Sequence, residues 1–544
     1  MAHMVFVNGP VFTVDSSRRW ARGVAVAGER IVAVSENGDM AEWIEPHTEV
    51  VDLEGKLLLP GFQDAHVHPP TAGLDMLRCN LHDDEDRAAY LDTIGAYAQT
   101  HPDEPWILGG GWAMDAFPGG TPTRGDLDHW DRPVFLTNRD GHGAWVNSRA
   151  LEIAGVDAAT PDPADGRIER DADGQPAGTL HEGAMDLVTR AIPPDGPAEF
   201  ERGLRVAQGY LTSLGITAWQ DADVTPETEA AYRSLAGAGH LAARVVGALW
   251  WERTRAEEQI ADLEARRAQG PVGRYRPTSV KMMLDGVAEN FTGSMLEPYL
   301  GKDGHPTDNR GIDFIDPELL SRYVTLLDAA GFQVHFHAIG DRAVRNALDA
   351  VEAARRANGW NDARHHISHI QLIHPADIPR FAQLGVVANG QPLWAINDGY
   401  QTELTIPFYG PERSSRQYPF RSLLDHRATL AFGSDWSVSA PNPLLEIETA
   451  VRRISPTDRG AEPFFPHECI SLEEAVSAFT MGSAYVNHLD LETGSIEVGK
   501  LADMVVVDRD IFSRESGPTG DAAVTMTVID GRVVYRNDGG EIEA

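Results

Sequence analysis

The sequence predicts an α/β chain with three parts. These are a (β/α)8 TIM barrel, a small composite β-sandwich built from both chain ends, and a long insertion after the first barrel strand. Three observations point there. Eight short β-type runs recur through the middle of the chain, with amphipathic helical stretches between most of them. Short β-type runs punctuated by Gly occur near both termini, and residues 70–205, rich in Gly, Pro and Asp, break the alternation. Strands that alternate with helices favour a parallel sheet, and eight of them can close into a barrel.

The elements follow in order. Residues 5–9, 23–28 and 31–34 are β-type runs separated by Gly turns, and 502–508 and 524–535 read the same way near the other end. Asp530-Gly531 marks a hairpin turn. These runs assign residues 1–60 and 488–544 to the sandwich. Barrel strands are expected at 61–68, 216–221, 243–250, 279–285, 332–337, 365–369, 386–391 and 429–435. Apolar residues at three- and four-residue spacing predict helices over 317–330 and 342–357. The barrel then takes 61–69 and 206–487, with 70–205 as an insertion over its active-site face.

Composition narrows the function. With 544 residues, 42% of them hydrophobic, the chain can build sizeable cores. A net charge of −36 argues against nucleic acid or an anionic membrane as partner and says little about the substrate, which is expected to be a small molecule. Two cysteines, Cys79 and Cys469, form neither a disulfide framework nor a Cys-based zinc site. No basic segment leads into an apolar stretch at the start, and no run is long enough to span a bilayer, so a cytoplasmic location is expected.

Chemistry-bearing residues fall at the ends of the expected strands. His66 and His68 lie two apart at the end of the first, and on a strand that spacing turns both imidazoles to one face. Alone the pair is a weak signal. Lys281 stands on the fourth strand, His337 on the fifth, His369 on the sixth and Asp435 at the end of the eighth. In a barrel these ends converge on one rim, where four imidazoles and a carboxylate fit one or two divalent cations. Zn²⁺ is the first expectation, with Mn²⁺ or Fe²⁺ as alternatives.

The chain resembles the amidohydrolase superfamily, and within it the YtcJ-like, or amidohydrolase 3, family. The resemblance rests on Pro60-Gly61-Phe62-Gln63-Asp64-Ala65-His66-Val67-His68, Gly141-His142-Gly143-Ala144-Trp145-Val146-Asn147-Ser148, His337-Ala338-Ile339-Gly340-Asp341-Arg342-Ala343, Gly433-Ser434-Asp435 and the terminal run 494–503. It implies a metal-dependent hydrolase acting on a C–N bond other than a peptide bond, of amide, N-formyl or carbamate type. His66, His68, Lys281, His337, His369 and Asp435 would be the metal ligands, with Asp435 also carrying the proton between a metal-activated hydroxide and the leaving amine. Lys281 would be carboxylated by CO₂ and bridge two metals; the alternative is an ordinary lysine paired with Asp285. His142, in the insertion, would contact the substrate or its oxyanion. A homodimer is a further family-based expectation.

Other residues receive plainer readings. Trp145 and Asn147 read as packing and turn residues, and Glu182 as part of a first helical turn. His335 and Asp64 are expected just behind the ligands, and His365 and His366 at a strand start. Glu289 and Asn290 lie in a rim loop that would select substrate, and Trp112, Asp115, Trp394 and Trp436 are candidates for the pocket mouth. Two other functions compete with C–N hydrolysis: deamination or lactone or ester hydrolysis at the same site, and a non-catalytic metal-binding scaffold.

Overall fold

Eight parallel strands form one sheet in strict chain order: β1 (Phe62–Val67), β2 (Ile216–Val224), β3 (Arg244–Trp250), β4 (Tyr275–Met283), β5 (Gln333–Ala338), β6 (His366–His369), β7 (Val387–Gly390) and β8 (Leu430–Phe432). The computed structural model describes residues 2–537; Met1 and 538–544, assigned above to the sandwich, lie outside the described residues. All eight expected strands are present, with small shifts at their ends. The largest is in β4, which begins at Tyr275 because Tyr275, Arg276 and Pro277 pair with Val245, Val246 and Gly247 of β3. That stretch lacks apolar alternation, so its strand character comes from its neighbour rather than from its own pattern.

The sheet curls until its edges meet. The amide of Asp435 donates to His66 O at 2.8 Å, and that of His68 donates to Trp436 O at 3.0 Å. Gly433 permits this approach, since a Cβ there would collide with the His66 amide and with Asp64. The site therefore straddles the seam where the barrel closes.

Helices cover the outside. Helix Pro317–Ala329 starts where the Asp316 side chain accepts from the amides of Glu318 and Leu319, with Pro317 in the first turn. It buries Leu320, Tyr323, Val324 and Leu327, one stripe at helical spacing. Helix Asp341–Asn358 follows β5 and buries Ala343, Val344, Ala347, Leu348, Val351 and Ala354. Each large apolar side chain so buried contributes about 1.5–3 kcal/mol.

Asp328, 2% exposed, ties this layer to the barrel by accepting from His365 Nε2 at 3.0 Å, Asn358 Nδ2 at 2.8 Å and Asn361 Nδ2 at 2.8 Å. Burial alone would raise its carboxyl, but these donors outweigh it and hold it below the usual carboxylate range. Asp328→Ala leaves the buried His365 Nε2 without its acceptor and frees the exposed amides of Asn358 and Asn361, and is expected to cost about 1–3 kcal/mol. A denaturation midpoint equal to wild type would contradict this. The stabilisation from its low pKa is complete above the unfolded carboxylate value and is lost as pH falls through the folded one.

The barrel interior below the rim is polar yet hydrogen-bonded. His366 Nε2 lies 2.8 Å from Gln220 Oε1, and Gln220 Nε2 donates to Gln333 Oε1 at 3.0 Å. Strands from the chain ends form two further sheets. One has the order Arg30–Ser35, Gly23–Ala27, Met4–Val7, Glu49–Asp52. The other runs Arg532–Arg536, Val524–Ile529, Met504–Val507, Leu57–Pro60, Val11–Phe12, Trp20–Ala21. Asp530 and Gly531 both take positive φ, 50° and 69°, as their hairpin turn requires. Buried Arg244 of β3 pairs with Asp503 and Asp530 and so fastens this sheet to the barrel.

Between β1 and β2 the chain builds another six-stranded sheet, Gly166–Arg170, Pro176–Glu182, Gly143–Val146, Val134–Asn138, Ile107–Trp112, Cys79–Asn80. Trp112 belongs to the core of this layer and not to a pocket mouth. It is fully buried against Phe117 and Trp145, and its Nε1 donates to Leu136 O. Among the described residues no helix is long and apolar enough to cross a membrane.

Candidate metal centre

β1 ends by presenting His66 and His68, whose ring centroids lie 5.3 Å apart. Asp435 Oδ1 sits 3.2 Å from His66 Nε2 and 2.9 Å from His68 Nε2. His369, from the end of β6, brings its ring centroid to 4.7 Å from that of His66, and its Nδ1 lies 3.9 Å from Asp435 Oδ2. Ligand atoms of His66, His369 and Asp435 all fall within 4.8 Å of one another. Lys281 joins this group with Nζ 3.3 Å from His66 Nε2. His337 meets the His369 ring edge-on with centroids 4.5 Å apart, but its Nε2 lies 3.3 Å from Gly286 O. Thus three of the six residues singled out form the tightest group, with His68, Lys281 and His337 one contact away.

The backbone is bent to achieve this. His369 and Ile370 adopt φ of 77° and 48°, and Asp435 54°, values that L-residues take only when their surroundings enforce them. Asp435 lies three residues beyond β8, in the turn whose amides Asp64 collects: the Asp64 carboxylate accepts from Ser434 N and Oγ and from His66 N.

Hydrogen bonds behind the rings set their orientation. His66 Nδ1 lies 2.8 Å from Ser368 Oγ and 2.9 Å from His335 Nε2, leaving Nε2 toward Asp435 and Lys281. Gln391 Oε1 receives both the amide and Nδ1 of His369, at 3.0 and 3.1 Å. Trp394 stacks on the His369 ring at 5.0 Å and 8°. Such contacts fix which nitrogen carries the proton.

Electrostatics suits a cation. Burial first, and Lys281 second, push His66 down to about 3. Burial and neighbouring imidazoles likewise hold His337 and His369 well below the usual range, so all three rings are neutral donors at pH 7. Burial would raise the Asp435 carboxyl, yet His66 and His68 beside it keep it well below the usual carboxylate range. Burial also lowers Lys281 to about 8 against the pull of Asp435, Asp223 and Asp221. Neutral imidazoles around an ionised carboxylate are the donor set a divalent cation requires, and the residues present fit one.

The insertion contributes His142. Its Nδ1 lies 2.8 Å from Glu182 Oε2, and its ring 5.4 Å from that of His337. Burial would lower the imidazole, but the Glu182 carboxylate outweighs it and pushes it up to about 9. His142 is therefore an imidazolium at neutral pH. Glu182 is not in a helical turn: it ends the strand Pro176–Glu182 with φ of 52° and also accepts from Thr292 Oγ1 at 2.7 Å.

Several other expectations resolve. Asp285 does not pair with Lys281; its carboxylate takes the amides of Ser294, Ile339 and Gly340. Asn147 caps helix Ser148–Ala154, and Trp145 packs in the insertion core. Trp436 packs on Tyr210 rather than over the site. The sequence reading missed Ser368, Gln391 and the Glu182 contact. Gln391 had a usable signal, since it ends the one late strand from which no functional residue was drawn.

Comparison with known proteins fits this geometry. Residues 49–535 match the model of the amidohydrolase family. The chain is 33% identical to the Arabidopsis thaliana protein LONG AFTER FAR-RED 3, over 98% of this chain and 92% of that one. It is 28% identical to the N-substituted formamide deformylase of Arthrobacter pascens, over 99% of both. A crystal structure of a metal-dependent hydrolase from Pyrococcus furiosus superposes with a TM-score of 0.70 at 26% identity, covering 94% of this chain and all of that one. With an eight-stranded barrel, a buried cluster of imidazoles and a carboxylate at its mouth, and a match across most of its length, the chain belongs to the amidohydrolase family and is a hydrolase.

Proposed function

We propose that the protein hydrolyses a C–N bond other than a peptide bond, of amide, N-formyl or carbamate type, with His66, His68, His337, His369 and Lys281 holding divalent metal and Asp435 moving the proton. The observation that carries this reading is an ionised Asp435 in contact with His66 and His68 at the end of β1, beside the neutral imidazoles of His66, His337 and His369. A divalent ion bound there would polarise the carbonyl and bring the pKa of water toward ~7.

The chain's own residues supply the rest. Asp435 accepts a proton from water as the water oxygen bonds to the carbonyl carbon. The same proton then passes to the nitrogen as the C–N bond breaks, so one water is consumed and an amine and an acid are released. His142, kept protonated by Glu182, faces the site with a charged donor suited to an oxygen that gains negative charge. Lys281 is buried with its amine pushed toward the neutral form, the form whose nitrogen attacks CO₂ and gives up a proton to yield a carbamate. That converts a repelling cation into an anionic ligand.

The relative that acts on N-substituted formamides makes the N-formyl class the first to test. A panel of N-formyl amines, N-acyl amines, carbamates and lactones, assayed with the metal-loaded protein, is expected to show turnover on at least one C–N class. Turnover confined to lactones would overturn the reading.

A further inference from the structure

Beside the metal centre stands a wall of acceptors, four of them carboxyl groups that form no ion pair among the described residues. Asp140 accepts the amide of His142 at 2.9 Å through Oδ1, and the Asn138 side chain lies beside its carboxylate. Glu289, in the loop after β4, takes Thr405 Oγ1 at 3.2 Å. Asp398 accepts the amide of Gln401 at 2.9 Å, and Asp115 packs against Gly399 at the outer edge. Burial, then the charge of Asp140, push Glu289 up to about 7, with Asp398 acting the same way. These acids therefore form one mutually repelling group. None of the four forms an ion pair with a Lys, Arg or His within 4.0 Å among the described residues. Arg139, the nearby guanidinium that acts on Asp115 and Asp398, donates through Nε to the carbonyl of Gly111 and through Nη2 to those of His82 and Asp84.

A second and independent observation points to what is missing. Two almost fully buried amides in this wall leave an oxygen without a donor, Asn290 Oδ1 and Gln401 Oε1, and the Tyr409 hydroxyl is likewise unpartnered, in residues 0%, 3% and 2% exposed. Asn290 is adjacent to Glu289 and donates to His142 O at 3.0 Å, which places the wall against the centre. Gln401 lies four residues before Thr405 in the segment Tyr400–Thr405, and its Nε2 reaches Tyr418 Oη at 3.4 Å. Tyr418 and Tyr409 both feel the charge of Glu289. Buried acceptors without donors are costly, and a cluster of carboxylates among them more so. A group that offers only donors and positive charge would relieve both at once.

We infer that the substrate carries an organic cation, an ammonium group beyond the scissile bond, which docks among Glu289, Asp140, Asp398 and the free oxygens of Asn290, Gln401 and Tyr409. This deepens the C–N hydrolase reading and rests on it. The acidic surface of the chain as a whole does not explain the wall, because solvated surface carboxylates leave no buried amide or phenol oxygen unpaired.

The test compares two probes of equal length, N-formyl-1,4-diaminobutane and N-pentylformamide, with the metal-loaded protein. The expected result is a kcat/KM at least about tenfold higher for the cationic probe, the size of one charged hydrogen bond. Glu289→Gln, with an unchanged melting temperature, should shrink that preference, and Asp398→Asn should act in the same direction. Equal kcat/KM for the two probes, or a preference untouched by both variants, overturns the inference and leaves the hydrolase reading standing. If neither probe is hydrolysed, calorimetric binding of 1,4-diaminobutane decides. Binding weakened by Glu289→Gln supports the cation site although the N-formyl class has failed; absence of binding overturns it.

Discussion

Asp435→Asn is expected to keep its metal and lose about 10²–10⁴-fold in kcat. The substitution preserves size and leaves the backbone amide that closes the barrel on His66 O at 2.8 Å. His66 keeps its supports in Ser368 and His335 and His369 its support in Gln391, while His68, which lies 2.9 Å from Asp435 Oδ1, faces an amide oxygen of the same size. What disappears is an atom able to take a proton, since an amide oxygen is a far weaker base than a carboxylate held ionised by two imidazoles. Steady-state kinetics with metal analysis of the same preparation checks both halves of the expectation. A variant with near-normal turnover would remove Asp435 as the proton carrier.

Removal of the metal is expected to abolish turnover altogether, and re-addition of a divalent ion to restore it. The site holds no other electrophile strong enough for an unactivated amide. His142 offers one charged donor, whose effect is about 10²–10³-fold, far short of the rate enhancements enzymes reach. The imidazoles of His66, His337 and His369 are neutral and buried, so without an ion they neither polarise a carbonyl nor offset their own burial. Metal-free protein should still be folded, because the β1–β8 closure and the bonds of His66 to Ser368 and of His369 to Gln391 are made by the chain alone.

Much of the fold was legible because barrel strands are short buried runs whose pattern survives in one dimension. β4 shows the limit, since its first residues are strand-like only because β3 pairs with them. The gathering of His66, His369 and Asp435 was legible for a topological reason: parallel strand ends in a closed barrel all reach one rim. Glu182 was not. Its place depends on Pro176–Glu182 pairing with Gly143–Val146, a non-local register that no local pattern reports. Ser368 and Gln391 were missed because a neutral hydroxyl or amide on a strand looks like any interior polar residue until the ring it holds is in view. Trp112 was misplaced for a related reason: an aromatic near a rim loop and one inside a second core have the same local sequence signature.

The rim of His66, His68, His337 and His369 with one ionised carboxylate works only around a bound cation. Metal content and amide or N-formyl hydrolysis should be measured on the same samples, through chelation and then stepwise return of Zn²⁺ or Mn²⁺. Turnover is expected to fall to background as metal is withdrawn and to return in proportion to metal bound. Full activity in protein shown to be metal-free would contradict it.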